Sequence, residues 1–491
     1  MEEEGKREEM QQEQSGSRYI RIKRFPFIMG IFLLIFLTAG ITLTALTFGD
    51  KKQVQPISRD RQEFNKLYST YDTLNKQYYT KIDQKKLIDG AIKGMITSLD
   101  DPYTDYMDED QAKNFHETIS SSFEGIGAEV QQKGNQISIV SPIKGSPAEQ
   151  AGLKPNDIVL SVDGKKLEGM TANEAVLLIR GKKGTKVDLL IQREGTSQPI
   201  SVSITRDTIP IETVYAKMDK DKIARIQITS FSERTGDELE KAINDMKKQG
   251  MKGMVLDLRQ NPGGLLDQAL QIASLFVPKD EIVFQVEDRE GHKQIAKSKN
   301  TGGKPDYPVV VLVDEGSASA SEIVAAALKE SADIPLVGVK TFGKGTVQTT
   351  EDFKDGSNVK YTMAKWLTPK GNWIHRKGIN PDIEVKLPAY ANLPMLSPDK
   401  ALTINNSSAE IKTAEQMLSA VGYNPGKTDG YFDQELQVSV KKFQQDSKLP
   451  QTGIIEGKTT LALMTKLREK ILAHDVQLEK AEEAVKGKIA K

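Results

Sequence analysis

The chain contains no cysteine in its 491 residues, and this absence excludes several kinds of site. Without cysteine there are no disulfides, no thiol nucleophile and no cysteine-ligated zinc. The four histidines are scattered and lack the spacing of metal ligands, so no metal site is predicted. Basic and acidic residues both number 68, and aromatic residues make up only 6% of the chain. Because neither a basic field nor a set of stacking rings is available, no nucleic-acid partner is expected.

A chain of this length is too long to fold around a single hydrophobic core, so several domains are expected. Residues 1–24 form a polar tail, and 25–49 is an uncharged run dominated by Phe, Ile, Leu and Met. About 20 apolar residues span a bilayer as a helix, whereas the apolar run of a cleaved signal peptide is about 7–15 residues long. Four basic residues precede the run: Arg18, Arg21, Lys23 and Arg24. The positive-inside rule therefore predicts a transmembrane anchor with 1–24 in the cytoplasm, and a cleaved signal peptide is the alternative.

The hydrophobic period divides the rest of the chain into segments. Apolar residues at three- and four-residue intervals predict helices over 59–119, with a break at Pro102 in the segment 99–103. Short strands with two helices predict a small domain over 120–207, and strand–helix alternation predicts an α/β core over 210–388. A helical module is expected over 408–467, followed by a charged helix over 468–491. In the α/β core the predicted strands are Ile223–Ile228, Met254–Leu258 and Pro308–Val313, and the predicted helices are Arg234–Lys248, Leu265–Phe276 and Ser319–Glu330.

The first candidate for chemistry is Ser319, which lies in the run Gly316–Glu322 between an apolar strand and a helix. A serine at such a junction is exposed, and the helix directs free N–H groups and its positive dipole end at it. The N–H of Ala320 would then help to stabilise an oxyanion. The alternative is an ordinary N-cap, the usual role of a serine before a helix. Three serines with small spacers exceed what a cap requires, so Ser319 is a candidate nucleophile.

The second candidate is Lys344, which lies between two glycines in the segment Thr341–Gln348. A lysine acts as a general base when it is neutral, which requires its pKa to fall from about 10.4 towards about 7–8. No Asp or Glu lies between 334 and 350 to oppose this shift. Gln348, four residues on, would share a strand face with Lys344 and orient its amine. The alternative is a solvated lysine in a hairpin.

A third segment, Asp257–Gly264, follows a strand and precedes a helix, and its two glycines allow a backbone N–H to face a ligand. Read alone, it is equally an ordinary strand–helix turn. Together the three segments resemble the C-terminal processing (tail-specific) peptidases of the S41 type. The resemblance runs from about Leu74 to Leu387 and is carried, in order, by DLRQNPGG at 257–264, SASASEI at 317–323 and TFGKGTVQ at 341–348.

The resemblance implies a ClpP/crotonase-like α/β protease core that needs no cofactor. Its motif positions correspond here to a serine nucleophile, a lysine base, a glutamine that orients the lysine, and two oxyanion donors. These are Ser319, Lys344, Gln348, Ala320 and Gly264.

Residues 122–207 resemble the PDZ domain of this family, through Ser146–Leu153 and Asp157–Val159. A PDZ domain binds a terminal carboxylate with backbone N–H groups and adds the peptide to a sheet edge. The matching carboxylate loop is Gly125, Ile126, Gly127 and Ala128. The PDZ domain is therefore expected to find a C-terminus, and the catalytic pair to cut upstream of it.

Arg180 ends the helix that is predicted from Thr171. Its long planar head is expected to reach across a domain interface towards Gln348 and to form part of a switch that gates the active site. The alternative is an arginine that only complements the dipole of its helix.

Residues 408–467 resemble the helical peptidoglycan-binding domain, through Asp429–Asp433 and Val440–Gln444. Anchor, PDZ domain, protease core and this module are together similar to the CtpA/CtpB type of Gram-positive, spore-forming bacteria. The resemblance implies protein substrates with free C-terminal tails, peptidoglycan as a further partner, a homodimer formed through the terminal helices, and a catalytic part outside the cytoplasmic membrane. Two other functions stay open: a wall-tethered PDZ scaffold with an inactive protease fold, and a peptidoglycan hydrolase.

Overall fold

The computed structural model describes residues 61–300 and 303–489. The predicted cytoplasmic tail and the predicted anchor at 25–49 lie outside the described residues. Within those two stretches, no helix is long and apolar enough to cross a membrane. The chain divides into two compact units, Met1–Leu87 and Ile88–Lys491, and each is considered by itself.

The described part of the first unit is helical, as the three- and four-residue intervals predict. A 3-10 turn, Gln62–Phe64, leads into helix α1 (Asn65–Gln77), and helix α2 (Gln84–Thr97) begins at the end of the unit. None of the side chains of α1 is buried.

The second unit contains the remaining elements. Its further helices are α3 (Glu109–Ser120), α4 (Pro147–Gln150), α5 (Ala172–Ile179), α6 (Thr235–Lys248), α7 (Leu266–Ser274), α8 (Ala320–Ala332), α9 (Ala409–Ala420), α10 (Gln434–Asp446), α11 (Gly457–Ala473) and α12 (Val476–Ile489), with a 3-10 turn at Ala389–Asn392. Its strands are β1 (Asp105–Met107), β2 (Ser122–Gly125), β3 (Ala128–Lys133), β4 (Gln136–Pro142), β5 (Ile158–Val162), β6 (Lys165–Lys166), β7 (Lys186–Gln192), β8 (Ile200–Thr205), β9 (Asp207–Pro210), β10 (Val214–Met218), β11 (Ile223–Ile228), β12 (Gly253–Asp257), β13 (Ile282–Glu287), β14 (Lys293–Lys297), β15 (Val309–Val313), β16 (Leu336–Gly338), β17 (Thr346–Asp352), β18 (Asn358–Leu367) and β19 (Ile383–Glu384).

The small domain is built on an antiparallel sheet in the order β3-β4-β5-β7-β8, with β6 on β5. Its strands show why it needs a cover on one side. In β7, Val187, Leu189 and Ile191 are buried while the residues between them are more exposed, the alternation of a half-buried strand. Helix α5 supplies part of that cover, and Thr171 and Glu174 form a capping box at its start.

The α/β core is a six-stranded sheet in the order β10-β11-β12-β15-β16-β19, and only its edge strand β10 is antiparallel. Every residue of β12 and β15 is buried, as expected of parallel strands covered by helices on both faces. Helices α6, α7 and α8 contribute to the core on one face. The predicted strand Ile223–Ile228 is confirmed residue for residue, and the other predicted elements of the core are confirmed with ends that differ by one to two residues.

The C-terminal helix α12 covers the other face of this sheet. Ala481 and Val485 are fully buried there, so a stripe that looks thin in the sequence is sufficient to dock the helix. No new helix begins at 468, since α11 continues to Ala473 and the break before α12 lies at His474. Leu467 and Ile471, on the apolar side of α11, pack into the helical module and extend the helix past the expected end.

A second sheet, in the order β1-β18-β13-β14 with β17 also paired to β18, lies in the same unit. Its strand β1 lies within the region 59–119, which is predicted to be helical with a break at Pro102, and the strand itself is not predicted. Pro102 ends the helical pattern, and Asp105–Met107 pairs with β18. Since β17 pairs with the same stretch of β18, the segment before β1 and the segment before β17 meet around β18.

Candidate active site

Ser319 is the N-cap of α8, immediately after the turn that follows β15. Its backbone has φ 54 and ψ −115, a conformation that non-glycine residues rarely adopt and that costs about 1–3 kcal/mol. The surrounding contacts must hold this strain. Strained serines at strand-to-helix turns present their hydroxyl outwards, and Ser319 lines a cavity of about 370 Å³.

The two neighbouring serines make buried hydrogen bonds to backbone carbonyls. Ser317 and Ser321 are fully buried. The Ser317 hydroxyl donates to the carbonyl of Leu258 at 2.8 Å, and the Ser321 hydroxyl donates to the carbonyl of Asn261 at 2.9 Å. These bonds tie the serine turn to the segment Asp257–Gly264, and they leave Ser319 as the serine of this turn that faces the cavity.

Two backbone N–H groups beside Ser319 have no acceptor among the described residues: those of Ala320 and Gly264. The N–H of Gly263, by contrast, donates to the side-chain oxygen of Asn261 at 2.9 Å. A Cβ on Gly263 would lie 2.8 Å from the Cβ of Ser319 and 2.9 Å from the nitrogen of Ala320, so the glycine loop approaches the serine closely. This geometry favours Gly264 over Gly263 as the second free donor.

Gly264 also has a strict steric requirement. Its φ is +150, and a Cβ there would lie 2.1 Å from the carbonyl oxygen of Phe231. The close approach arises because Phe231 donates its N–H to Gly263 and accepts from the N–H of Leu265, which aligns the two backbones. Only glycine fits this position.

Glu322 connects the serine turn to the lysine loop. It is fully buried. One of its oxygens accepts from the N–H groups of Ser319 (3.0 Å) and Lys344 (2.8 Å). The other accepts from the N–H of Gly343 (2.7 Å) and the hydroxyl of Thr341 (2.5 Å). Burial raises the pKa of Glu322, while these four hydrogen bonds oppose that rise. The carboxylate therefore fixes the backbone of both candidate catalytic residues.

Lys344 precedes β17, and its side chain is partly buried beside an aromatic ring. Its Nζ is 5.0 Å from the centre of the Tyr103 ring. Burial lowers the pKa of Lys344, and the nearby Lys360 lowers it further, while Asp101 and Glu322 act in the opposite direction. A lysine with a lowered pKa is neutral in a larger fraction of molecules, which is the form that accepts a proton.

Gln348 lies on β17 and lines the same cavity as Ser319 and Lys344. Its amide nitrogen donates to the hydroxyls of Thr346 (3.0 Å) and Thr362 (3.1 Å). From the sequence, Gln348 is expected to share a strand face with Lys344, and this is wrong. Lys344 is not on β17, and the β17–β18 register shifts between Val347 and Gln348. The cavity brings the two residues together without a shared strand face.

The expected carboxylate loop joins β2 to β3. Gly125 ends β2, and Ala128 begins β3. The N–H groups of Ile126 and Gly127 have no acceptor in the part of the chain that the structure describes. The carbonyl of Gly127 is held by the N–H of Ile143 and the hydroxyl of Ser146, both at 2.8 Å, which fixes the loop. Free N–H groups at the start of a strand are the arrangement that binds a peptide carboxylate.

Arg180 is the C-cap of α5, and its stem lies beside the carboxylate loop, because a Cβ on Gly125 would be 3.8 Å from its Cγ. The guanidinium donates to Glu117 on α3 at 2.8 Å and lies 4.6 Å from the centre of the Phe123 ring. Its hydrogen bond goes to Glu117 and not to Gln348 in this structure. Helix α3 also carries Phe115 and Ile119, which line the cavity at Ser319.

Two groups around the site are not predicted from the sequence. Glu322 stands in the serine motif itself, and its spacing from Ser319 matches a capping box, which is a usable signal. From the sequence, the segment 101–104 is recognisable only as the end of a helix at Pro102. In the structure, the Tyr103 ring lies beside Lys344, and Asp101 accepts a hydrogen bond from Thr362 on β18. Away from the site, Asp288, Glu290 and His292 form a mostly exposed group at the β13–β14 turn, and it offers no further sign of a ligand.

Known protein families match four parts of the chain. The profile of Peptidase family S41 matches residues 222–385, and the profile of the activating protease CtpB N-terminal domain matches residues 40–111. A PDZ domain profile matches residues 138–193, and a peptidoglycan-binding-type domain matches residues 407–464. The carboxylate loop precedes the matched part of the PDZ domain in sequence.

The similarity to individual proteins extends over nearly the whole chain. The carboxy-terminal processing protease CtpA of Bacillus subtilis is 50% identical over 93% of this chain and 98% of its own length. CtpB of the same organism is 42% identical over 90% of this chain and 94% of its own length. Among solved structures, the photosystem II D1 C-terminal processing protease is 29% identical, covering 65% of this chain and 86% of that chain at a TM-score of 0.39.

The domains and these relatives define a protease that carries a PDZ domain and a peptidoglycan-binding-type domain. The chain belongs to peptidase family S41, as a carboxy-terminal processing protease.

Proposed function

We propose that this protease uses Ser319 as its nucleophile, neutral Lys344 as its general base and Gln348 to orient the lysine, and that it cuts protein substrates near their C-termini. The observation that supports this best is one cavity that contains all three side chains and a lysine whose pKa is lowered by burial. No histidine is among the residues that line this cavity, which favours the lysine as the base.

In the proposed reaction, Lys344 takes the hydroxyl proton as the Ser319 oxygen attacks the scissile carbonyl. The negative charge that develops on the carbonyl oxygen is stabilised by the N–H groups of Ala320 and Gly264, which are free for that purpose. The resulting Lys344 ammonium returns the proton to the leaving amine, and an acyl group stays on Ser319. Water, deprotonated by the same lysine, then releases the acyl product.

We assign substrate capture to the PDZ domain. The free N–H groups of Ile126 and Gly127 support binding of a C-terminal carboxylate, with the peptide added along β3. The gating role of Arg180 stays a prediction. Its contact with Glu117 supports this role, because α3 contacts Arg180 beside the carboxylate loop and also lines the active-site cavity. A substrate carboxylate that attracts the guanidinium would weaken the contact between Arg180 and Glu117. It would shift the equilibrium between the closed and the open state of the protease only by binding one of these states more tightly.

We further propose that the catalytic part works outside the cytoplasmic membrane, held by the anchor at 25–49, and that peptidoglycan and a second copy of the chain are partners. The peptidoglycan-binding-type domain supports the extracytoplasmic location. The homodimer rests on the resemblance alone. A scaffold with an inactive protease fold is disfavoured, because it would have no need to keep Ser319 and Lys344 in one cavity.

The test of capture and cleavage together is a pair of substrates that differ only in the C-terminal group. We expect the purified full-length protein to cleave an unstructured protein with a free C-terminal carboxylate at least about tenfold faster, in kcat/KM, than its C-terminally amidated form. Amidation removes the charge that the loop N–H groups bind, and tenfold corresponds to about 1.4 kcal/mol. Equal cleavage of the two forms would rule out carboxylate capture, and no cleavage of either would contradict the proposed function.

Activity is expected to rise with pH. Below the lowered pKa of Lys344 the amine is protonated and cannot accept a proton, so kcat should rise about tenfold per pH unit on this limb. Above that pKa the neutral form predominates, and the rate should level off. The measurement is the dependence of kcat on pH with a fixed substrate. A maximum below about pH 5 would indicate a carboxylate mechanism and contradict the lysine base.

A further inference from the structure

A chain of hydrogen bonds connects the segment before β1 to the amide of Gln348. The Thr362 hydroxyl, on β18, donates to Asp101 at 2.6 Å, and the Gln348 amide nitrogen donates to the oxygen of that same hydroxyl at 3.1 Å. Asp101 also accepts from the Thr104 hydroxyl at 2.6 Å and from the N–H of Tyr103 at 3.0 Å. These hydrogen bonds matter because Gln348 is proposed to orient the catalytic lysine.

The direction of each bond in the chain is determined by chemistry. An ionised carboxylate can only accept, so the single proton of the Thr362 hydroxyl must point to Asp101. The Thr362 oxygen can then only accept from Gln348, which places the NH₂ end of the amide, and not its carbonyl end, against β18. Burial raises the pKa of Asp101, but the bonds from Thr104, Thr362 and Tyr103 outweigh this and hold the pKa below its usual range. Asp101 is therefore an acceptor throughout the neutral range.

The consequence is an oriented amide at the active site. Both N–H bonds of Gln348 are used by Thr346 and Thr362, and its carbonyl oxygen has no partner among the described residues. A carbonyl oxygen presented to the cavity accepts a hydrogen bond from the lysine amine in either protonation state. A flipped amide would instead present its NH₂ to the amine, which would repel the ammonium that forms in the reaction.

We propose that Asp101 is a positioning residue that acts through Thr362 to set the amide of Gln348, so that the Gln348 carbonyl faces Lys344. This inference rests on the proposed catalytic roles of Gln348 and Lys344. Asp101 has a second effect, on charge. It faces Lys344 together with Glu322, Lys360 and the Tyr103 ring, and it stabilises the ammonium form.

The two effects can be separated by two substitutions. Asp101→Asn removes the obligate acceptor and the charge. Thr362→Val removes the hydroxyl that links Asp101 to Gln348 but keeps the negative charge of Asp101. We expect both to lower kcat by about 10- to 100-fold, the scale of a displaced catalytic group. Only Asp101→Asn should also move the acid limb of the pH profile to lower pH, because it alone removes a charge that favours the ammonium. Thr362→Ser keeps the hydroxyl and should restore kcat.

Asp100→Asn is the matched control, because Asp100 is the adjacent carboxylate in the same loop and is exposed. It should leave kcat and the acid limb unchanged. Melting temperatures of all variants separate loss of fold from loss of orientation, and the Thr362 pair keeps the test valid if Asp101→Asn fails to fold.

If Asp101→Asn and Thr362→Val both kept the wild-type kcat, the proposed positioning of Gln348 by Asp101 through Thr362 would be wrong, provided that the wild-type protein cleaves in a Ser319-dependent way. An equal loss in Asp100→Asn would also overturn it, since the loop and not the carboxylate would then matter. If the wild-type protein showed no Ser319-dependent cleavage, the proposed function itself would fail, and the two failures are therefore distinguishable.

Discussion

Ser319→Ala and Lys344→Ala are each expected to abolish cleavage of a tailed substrate, lowering kcat by about 10⁶-fold, the effect of removing a nucleophile or its base from a serine hydrolase. The two residues act in one proton transfer, so the double variant should be no slower than either single variant. Ser319 and Lys344 line the same cavity, so each substitution removes one of the two reacting groups from the proposed site. The measurement is single-turnover cleavage of the free-carboxylate substrate, with melting temperature as the check on folding.

Lys340→Ala is the matched control for the lysine. Lys340 lies four residues earlier and is exposed, so its removal should leave kcat within about twofold. The Ser319 variant discriminates between the serines of the turn. If it cleaved at the wild-type rate, the nucleophile would have to be another group, and the buried hydroxyls of Ser317 and Ser321 would first have to leave their bonds to Leu258 and Asn261.

The position of Ser319 is predictable from sequence, but its conformation is not. The apolar run before it and the helical pattern after it place it at a strand-to-helix junction, and α8 does begin at the next residue. Its φ of 54 is accompanied by contacts to a distant segment, because Ser321 and Ala318 both donate to the carbonyl of Asn261. A local pattern carries no information on such contacts, so the strained conformation cannot be predicted from it.

The residues that hold the site together were the harder part to predict. Glu322 and Thr341 are 19 residues apart, and Asp101 and Thr362 are 261 residues apart. Motif spacing identifies groups that perform chemistry, since those residue types are few. The groups that position them are ordinary Asp, Glu and Thr residues, whose role follows only from the strand pairing that brings β1 and β17 to either side of β18.

The C-terminal helix shows the same limit. Its sequence offers only a thin apolar stripe. In the structure Arg259, on the loop that contains Gly264, bonds to Asp475 at 2.7 Å and to Gln477 at 3.1 Å. Arg259 is largely buried and also bonds to Asp257 at 2.8 Å. Polar contacts to the glycine loop thus supplement the thin apolar stripe, and they connect the end of the chain to the proposed oxyanion donor.

Glu322→Ala is expected to have the second largest effect, on stability as well as on turnover. It removes the acceptor of four buried donors: the N–H groups of Ser319, Gly343 and Lys344 and the hydroxyl of Thr341. Each buried donor left without a partner costs about 1–3 kcal/mol, and neighbouring losses do not simply add. We expect the free energy of unfolding to fall by about 3–5 kcal/mol, and cleavage to be lost even in the molecules that stay folded, because the strained turn at Ser319 and the lysine loop lose their shared anchor.

Glu322→Gln separates the shape of this side chain from its capacity to accept. The amide keeps one oxygen and replaces the other with NH₂, so it can serve the pair Ser319 and Lys344 or the pair Gly343 and Thr341, but not both. Its melting temperature and kcat should therefore lie between those of the wild type and Glu322→Ala. Glu315→Ala, on an exposed carboxylate four residues before Ser319, is the control and should change neither quantity. Denaturant unfolding and single-turnover cleavage measure the two effects. If Glu322→Ala kept the wild-type stability and rate, the carboxylate could not be what holds Ser319 in its strained conformation, and the serine turn and the lysine loop would have to be positioned independently of each other.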